Sequence, residues 1–166
     1  MVIDAIGFAR AGQALDGVAR TDHFARLCEA LPESQDGEIR WRVQGRADAP
    51  TGRAWLDVDA QGPVRVICQR CLEPFSLPLR VSSTLGLVET QAQLDALDAL
   101  EAEGQGPEIE HLVAEQRFDV EGLVEDELIL VLPYAPRHDV CPGGGDEPES
   151  PRRPSPFAVL ERFGKD

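Results

Sequence analysis

From Ile39 onward the apolar residues recur at every second position. Ile39, Trp41 and Val43 are followed by Ala54, Leu56 and Val58, then Val64, Val66 and Cys68, then Phe75, Leu77, Leu79 and Val81, running on toward Leu87. Successive side chains of an extended strand point to opposite faces, so this period places one apolar row against a core and one polar row in water. The links "GRADAPTG" and "DAQGP" are short and carry glycine and proline. Together they predict an antiparallel meander with one face buried. Trp41 and Trp55 are expected in the core or on a sheet face. With one Tyr, two Trp and six Phe in the whole chain, aromatic rings are too few to suggest a platform for stacking bases.

Helical patterns flank the meander. Residues 1–35 read as an extended lead (Val2, Ile3, Ile6, Phe8), a polar turn, and a short helix near "TDHFARLCEALP". Thr21 or Asp22 can cap that helix, with Phe24, Leu27, Cys28 and Leu31 on one face. His23 then belongs at the surface and Cys28 in the packing. In "FDVEGLVEDELILVLP", Asp119 is placed to cap and Glu121 to meet the helix dipole. Val120, Leu123, Val124, Leu128 and Val131 form a stripe that Pro133 ends. Glu125, Asp126 and Glu127 are expected on the solvated side, with no nucleophile or metal partner spaced with them.

The expected class is therefore α+β, an antiparallel sheet with a few packed helices. Residues 1–141 read as one domain, and 88–118 as an acidic, mobile insertion. Within the insertion, "QAQLDALDALEAEG" can form a helix with Leu94, Leu97 and Leu100 on one side. Residues 142–166 read as a flexible tail, since "PGGGDEPESPRRPSP" cannot bury enough surface to fold alone. The tail ends in a short amphipathic helix in which Ser155 caps and Phe157, Leu160 and Phe163 share a face, ready to dock on this domain or on a partner.

Charge is unevenly distributed. The chain has 16 basic and 30 acidic residues, and Glu89 to Glu127 alone holds 13 acidic residues against Arg117. Such a segment is a solvated face that aids solubility, or a surface for a basic partner. Glu121, Glu125, Asp126 and Glu127, with Phe157, Leu160 and Phe163, are the partner-binding candidates. The segment opposes a phosphate backbone. Residues 36–80 instead carry seven arginines against six acidic residues, making Arg40, Arg42, Arg46, Arg65 and Arg70 the candidates for RNA contact. No apolar run approaches the roughly 18 residues of a membrane helix, and the first residues lack the features of a signal peptide. A cytoplasmic location is expected, where thiols stay reduced.

Four cysteines in that setting point to metal or chemistry. Cys68 and Cys71 sit two residues apart where a strand meets a turn, and His138 and Cys141 repeat the spacing beyond the last core helix. Three thiolates and an imidazole match a closed tetrahedral zinc site, whose binding energy would be folding energy. The 66 intervening residues do not force the pairs together. The competing reading is simple packing, with Cys68 facing the core, Cys71 at a turn and His138 and Cys141 unrelated to them. A redox pair ranks below it, because such a pair normally opens a helix, and a nucleophile activated by His138 is a third option, for which no residue orients the imidazole.

The blocks "CQRCLEPF", "VEDELILVLPYAPRHDVC" and "PSPFAVLERF" resemble the YceD family, the large ribosomal RNA subunit accumulation proteins. The resemblance implies a role in synthesis, processing or stability of 23S rRNA, with no enzymatic activity. Joined to the charge pattern, it suggests a factor that meets a basic ribosomal or assembly protein. The rivals are a direct RNA-binding module on the arginine-rich strands and a cysteine-based redox protein.

Overall fold

The computed structural model describes residues 1–32, 34–49, 51–102 and 109–142. The period-two region forms three long strands, β3 (Glu38–Ala47), β4 (Ala54–Ile67) and β5 (Pro74–Val88), paired antiparallel in unbroken register. β2 (Ala14–Arg20) adds to the β3 edge over all seven of its residues. β6 (His111–Val113) adds to β5 in parallel, completing the order β2-β3-β4-β5-β6. A two-stranded pair, β1 (Val2–Ile3) with β7 (Phe118–Asp119), joins the N-terminus to the last helix.

The expected alternation is met on β4, although "DAQGP", expected to link two strands, is paired to β5 inside this one strand. Ala54, Leu56, Val58, Ala60, Val64, Val66 and then Cys68 are buried. That face is covered by α1 (Ala5–Arg10), α2 (Ala25–Glu29) and α4 (Val120–Val131), which supply Phe8, Leu27, Leu123, Val124 and Leu128 to one core. At Gly45 a Cβ would stand 2.7 Å from the Ala9 Cα, so the missing side chain lets α1 rest directly on β3.

Several expectations need correction. Ile6 and Phe8 lie in α1, where the Asp4 carboxylate accepts from the Gly7 amide, and not in an extended lead. The supposed polar turn after them is β2, whose small residues alternate between exposed and half-buried. Thr21 is fully buried in a 3-10 turn (Thr21–His23) and does not cap α2. Within 88–118 the expected helix does form, as α3 (Gln91–Ala102) with Leu94 and Leu97 half-buried, but Leu100 is exposed and the segment also adds the parallel β6, which the antiparallel meander did not anticipate. On α4, Val131 is exposed, whereas Glu125 and Glu127, expected in water, are buried. Residues 143–166, including the proposed tail helix, lie outside the described residues.

Candidate metal centre and charged surfaces

β4 and β5 form a hairpin whose loop holds the first ligand pair. Cys68 ends the buried row of β4 and is fully buried; its amide closes the ladder by donating to the Glu73 carbonyl at 3.0 Å. The loop turns back through Leu72, whose amide donates to the Cys68 carbonyl at 2.9 Å. Leu72 has φ 63°, the left-handed region that costs a side-chain-bearing residue about 1 kcal/mol or more. That turn brings Cys71 beside Cys68, and the Arg70 amide donates to the Cys68 sulfur at 3.4 Å.

The second pair arrives along the segment after α4. Pro133 closes the helix, and the chain then runs past the hairpin loop, where Gln69 donates its amide to the Pro136 carbonyl at 2.8 Å. Arg70 fastens this segment twice, through Nη2 to the His138 carbonyl at 3.2 Å and through Nε to the Cys141 sulfur at 2.9 Å. Phe75 lies against the His138 ring, with centroids 4.3 Å apart.

These contacts bring the two pairs together. One ligand atom from each of Cys68, Cys71, His138 and Cys141 lies within 4.8 Å of all the others, a group that can hold a metal ion. The Cys68 and Cys141 sulfurs are 3.8 Å apart, and the Cys71 sulfur is 3.3 Å from His138 Nδ1. Metal–sulfur bonds of about 2.3 Å at tetrahedral angles separate two sulfurs by about 3.8 Å, so the first edge has the length that zinc requires. A sulfur–nitrogen edge is then about 3.6 Å, so the second needs only a slight opening. A metal held by Nδ1 would leave the imidazole proton on Nε2.

The electrostatics also fit a cation. Burial pushes the Cys68 thiol up, but the amides of Cys71, His138 and Arg70 and the His138 side chain outweigh it and bring it down to about 5. At Cys71 the Glu73 amide favours the thiolate. Desolvation and the sulfurs of Cys141 and Cys68 together prevail over it, raising the thiol above its usual value. The two thiols are thus shifted in opposite directions, and a divalent ion bound between them would favour the thiolate form of both.

Away from the ligand cluster, a buried carboxylate has a structural role. Glu125 is buried, and its Oε1 accepts from the Arg26 and Leu27 amides at 2.7 and 3.1 Å. Those are the open amides of the first turn of α2, so α4 caps α2 from outside. Oε2 accepts from Arg26 Nε at 3.0 Å, and Arg26 also pairs with Asp126. Glu121 pairs with the N-terminal amine at 2.9 Å.

Among the RNA candidates, Arg40, Arg42 and Arg65 stand on the open face of the sheet. Arg46 is held by Asp57 at 2.8 Å and lies over Trp55, while Arg70 belongs to the ligand cluster. Sequence reasoning did not single out Gln35, which is buried and bonds to both the amide and the carbonyl of Arg65. Nor did it single out Arg80 among the RNA candidates; only strand register brings Arg80 into line with Arg40.

The family model described as large ribosomal RNA subunit accumulation protein YceD matches residues 56–163. The chain belongs to the YceD family. The matched span contains all four ligand residues of the cluster. A protein named large ribosomal RNA subunit accumulation protein YceD, from Haemophilus influenzae, is 35% identical over 121 residues, covering 66% of this chain. The chain spans 61% of the length of that curated relative. No solved structure matches. No helix among the described residues is long and apolar enough to cross a membrane.

Proposed function

We propose that this protein is a non-enzymatic, cytoplasmic factor supporting the accumulation of 23S rRNA, and that it meets a basic ribosomal or assembly protein through its acidic surface. Membership of the YceD family over residues 56–163 carries the first part of the reading. The second rests on charge. Asp95, Asp98 and Glu101 line the exposed surface of α3, and Glu110 and Glu115, in the segment that follows, are exposed and acidic as well. A single-sign surface of this kind speeds encounter with a cationic partner.

Zinc at Cys68, Cys71, His138 and Cys141 completes the proposal. Soft thiolates with one imidazole select zinc, and four protein ligands leave no open position for substrate, which marks a structural site. The Cys68 to Glu73 hairpin loop and the segment after α4 are the elements it joins. A redox role is less favoured, because Cys68 and Cys71 sit in a hairpin loop and their nearest partners are ligand types from another segment.

The test is the ratio of 23S to 16S rRNA in cells lacking the protein, complemented with the wild type or with variants. The wild type restores the ratio, whereas Cys68→Ser and a charge-neutralised α3 (D95N, D98N, E101Q) do not. A normal ratio without the protein overturns the rRNA role. Full rescue by the neutralised helix overturns the acidic contact.

A further inference from the structure

Among the described residues, helices pack one face of the sheet and leave the other open, and that open face carries Arg40, Arg42, Arg65 and Arg80 outside any ion pair, with Arg42 donating to the Gln44 side-chain oxygen at 3.1 Å. Register sets Arg40 opposite Gln61, and Gln61 opposite Arg80, so the two arginines stand two strand spacings apart, roughly 10 Å. Arg42 follows Arg40 on β3 and Arg65 continues the same row of β4 beyond Gln61; all four arginines are exposed. Arg40, Arg42 and Arg80 border a shallow concavity of about 280 Å³ in which Asp59 is the sole carboxylate.

Commitment separates these arginines from others. Among the described residues, Arg10, Arg20, Arg26 and Arg46 are ion-paired, and Arg40, Arg42, Arg65 and Arg80 are not. In a chain with 30 acidic residues, four unpaired guanidiniums on one surface are available to an anion. The acidic surface of α3 does not cancel them at distance, since charges more than about 8 Å apart are largely screened at physiological ionic strength.

Chemistry narrows the partner. A protein ligand would require several apolar anchors, but Trp41 is buried, Trp55 lies beneath Arg46, and Val18 opposite Arg40 is the one exposed large apolar side chain on β2–β5 among the described residues. Beside the arginines the face carries Gln61, Ser76 and Ser82, residue types that position a sugar-phosphate backbone without reading sequence, with Asp16 and Asp59 on either side of Arg42. Single strands are held by stacking on free rings, whereas duplex RNA is held by shape and phosphate contacts. We infer that the open sheet face binds the phosphate backbone of duplex RNA through Arg40, Arg42, Arg65 and Arg80. The choice of RNA over other polyanions rests on the rRNA reading above.

The experiment is fluorescence anisotropy of the full, metal-loaded chain with a 20-base-pair duplex RNA across a KCl series. Four phosphate contacts give a slope of log K against log salt of about −3 to −4, and Arg40→Gln with Arg80→Gln makes it shallower by about 2. Arg46→Gln, whose guanidinium is already paired, leaves the slope unchanged, and thermal melts establish that each variant is folded. Absence of binding, an unchanged slope in the double variant, or equal affinity for a single-stranded probe of the same length overturns the inference. Failure of the functional reading is separately visible. A normal 23S ratio in cells lacking the protein sinks that reading, while a 23S defect with no RNA binding sinks this face alone.

Discussion

Replacing Glu125 tests whether the fold depends on a cap supplied from another helix. In the structure one oxygen serves the Arg26 and Leu27 amides and the other serves the Arg26 guanidinium. Glu125→Ala removes both functions and leaves the Leu27 amide buried without an acceptor. An N-cap is worth about 1 kcal/mol, and an unsatisfied buried donor costs about 1–3 kcal/mol. The contributions overlap, so the expected loss is below their sum, about 1–3 kcal/mol. Glu125→Gln keeps an acceptor oxygen for the two amides and loses only the partly exposed ion pair with Arg26, about 1 kcal/mol or less. Urea unfolding of the metal-loaded protein measures both, and for a chain of this size each kcal/mol shifts the thermal midpoint by about 2–4 °C. Equal losses for the two variants, or an alanine variant within about 0.5 kcal/mol of wild type, would refute the capping argument.

Other expectations concern the ligand cluster. Arg70→Gln removes the donor to the Cys141 sulfur and the clamp on the His138 carbonyl, and should weaken metal affinity by about 10–100-fold in a chelator competition. Leu72→Gly relieves the left-handed backbone without removing a buried side chain, so stability should hold or rise by up to about 1 kcal/mol; a clear loss would mean that the side chain packs. Acidification should release metal. The thiolates must be deprotonated to bind, so affinity falls as pH falls, and the three sulfurs should be measurably protected from alkylation at neutral pH but not after acid release.

The alternation was legible along β3, β4 and β5, but the unity of β4 was not, because Gly62 and Pro63 in "DAQGP" look like a turn and yet pair with Leu79 and Pro78 inside one fourteen-residue strand. Shorter elements were not legible. α1 is six residues and contains Gly7, too little for a helical period to emerge, and β2 alternates between Ala, Asp, Gly and Val without a strong apolar row. β6 has three residues, and nothing local distinguishes its parallel pairing from a loop. Glu125 looked like a solvated carboxylate because its partners are 98 and 99 positions away. The two ligand pairs were each visible through their spacing. Their meeting depends on α4 packing across the sheet and on Arg70 and Gln69 fastening the segment that follows, which no local pattern records.

The most direct test of the account is the metal content of untagged protein, measured by mass spectrometry beside a thermal melt with and without chelator. The account predicts one equivalent of zinc per chain, its loss in Cys68→Ser, and a lower midpoint once metal is removed. Protein free of metal, with a midpoint indifferent to chelator and to that substitution, would contradict it.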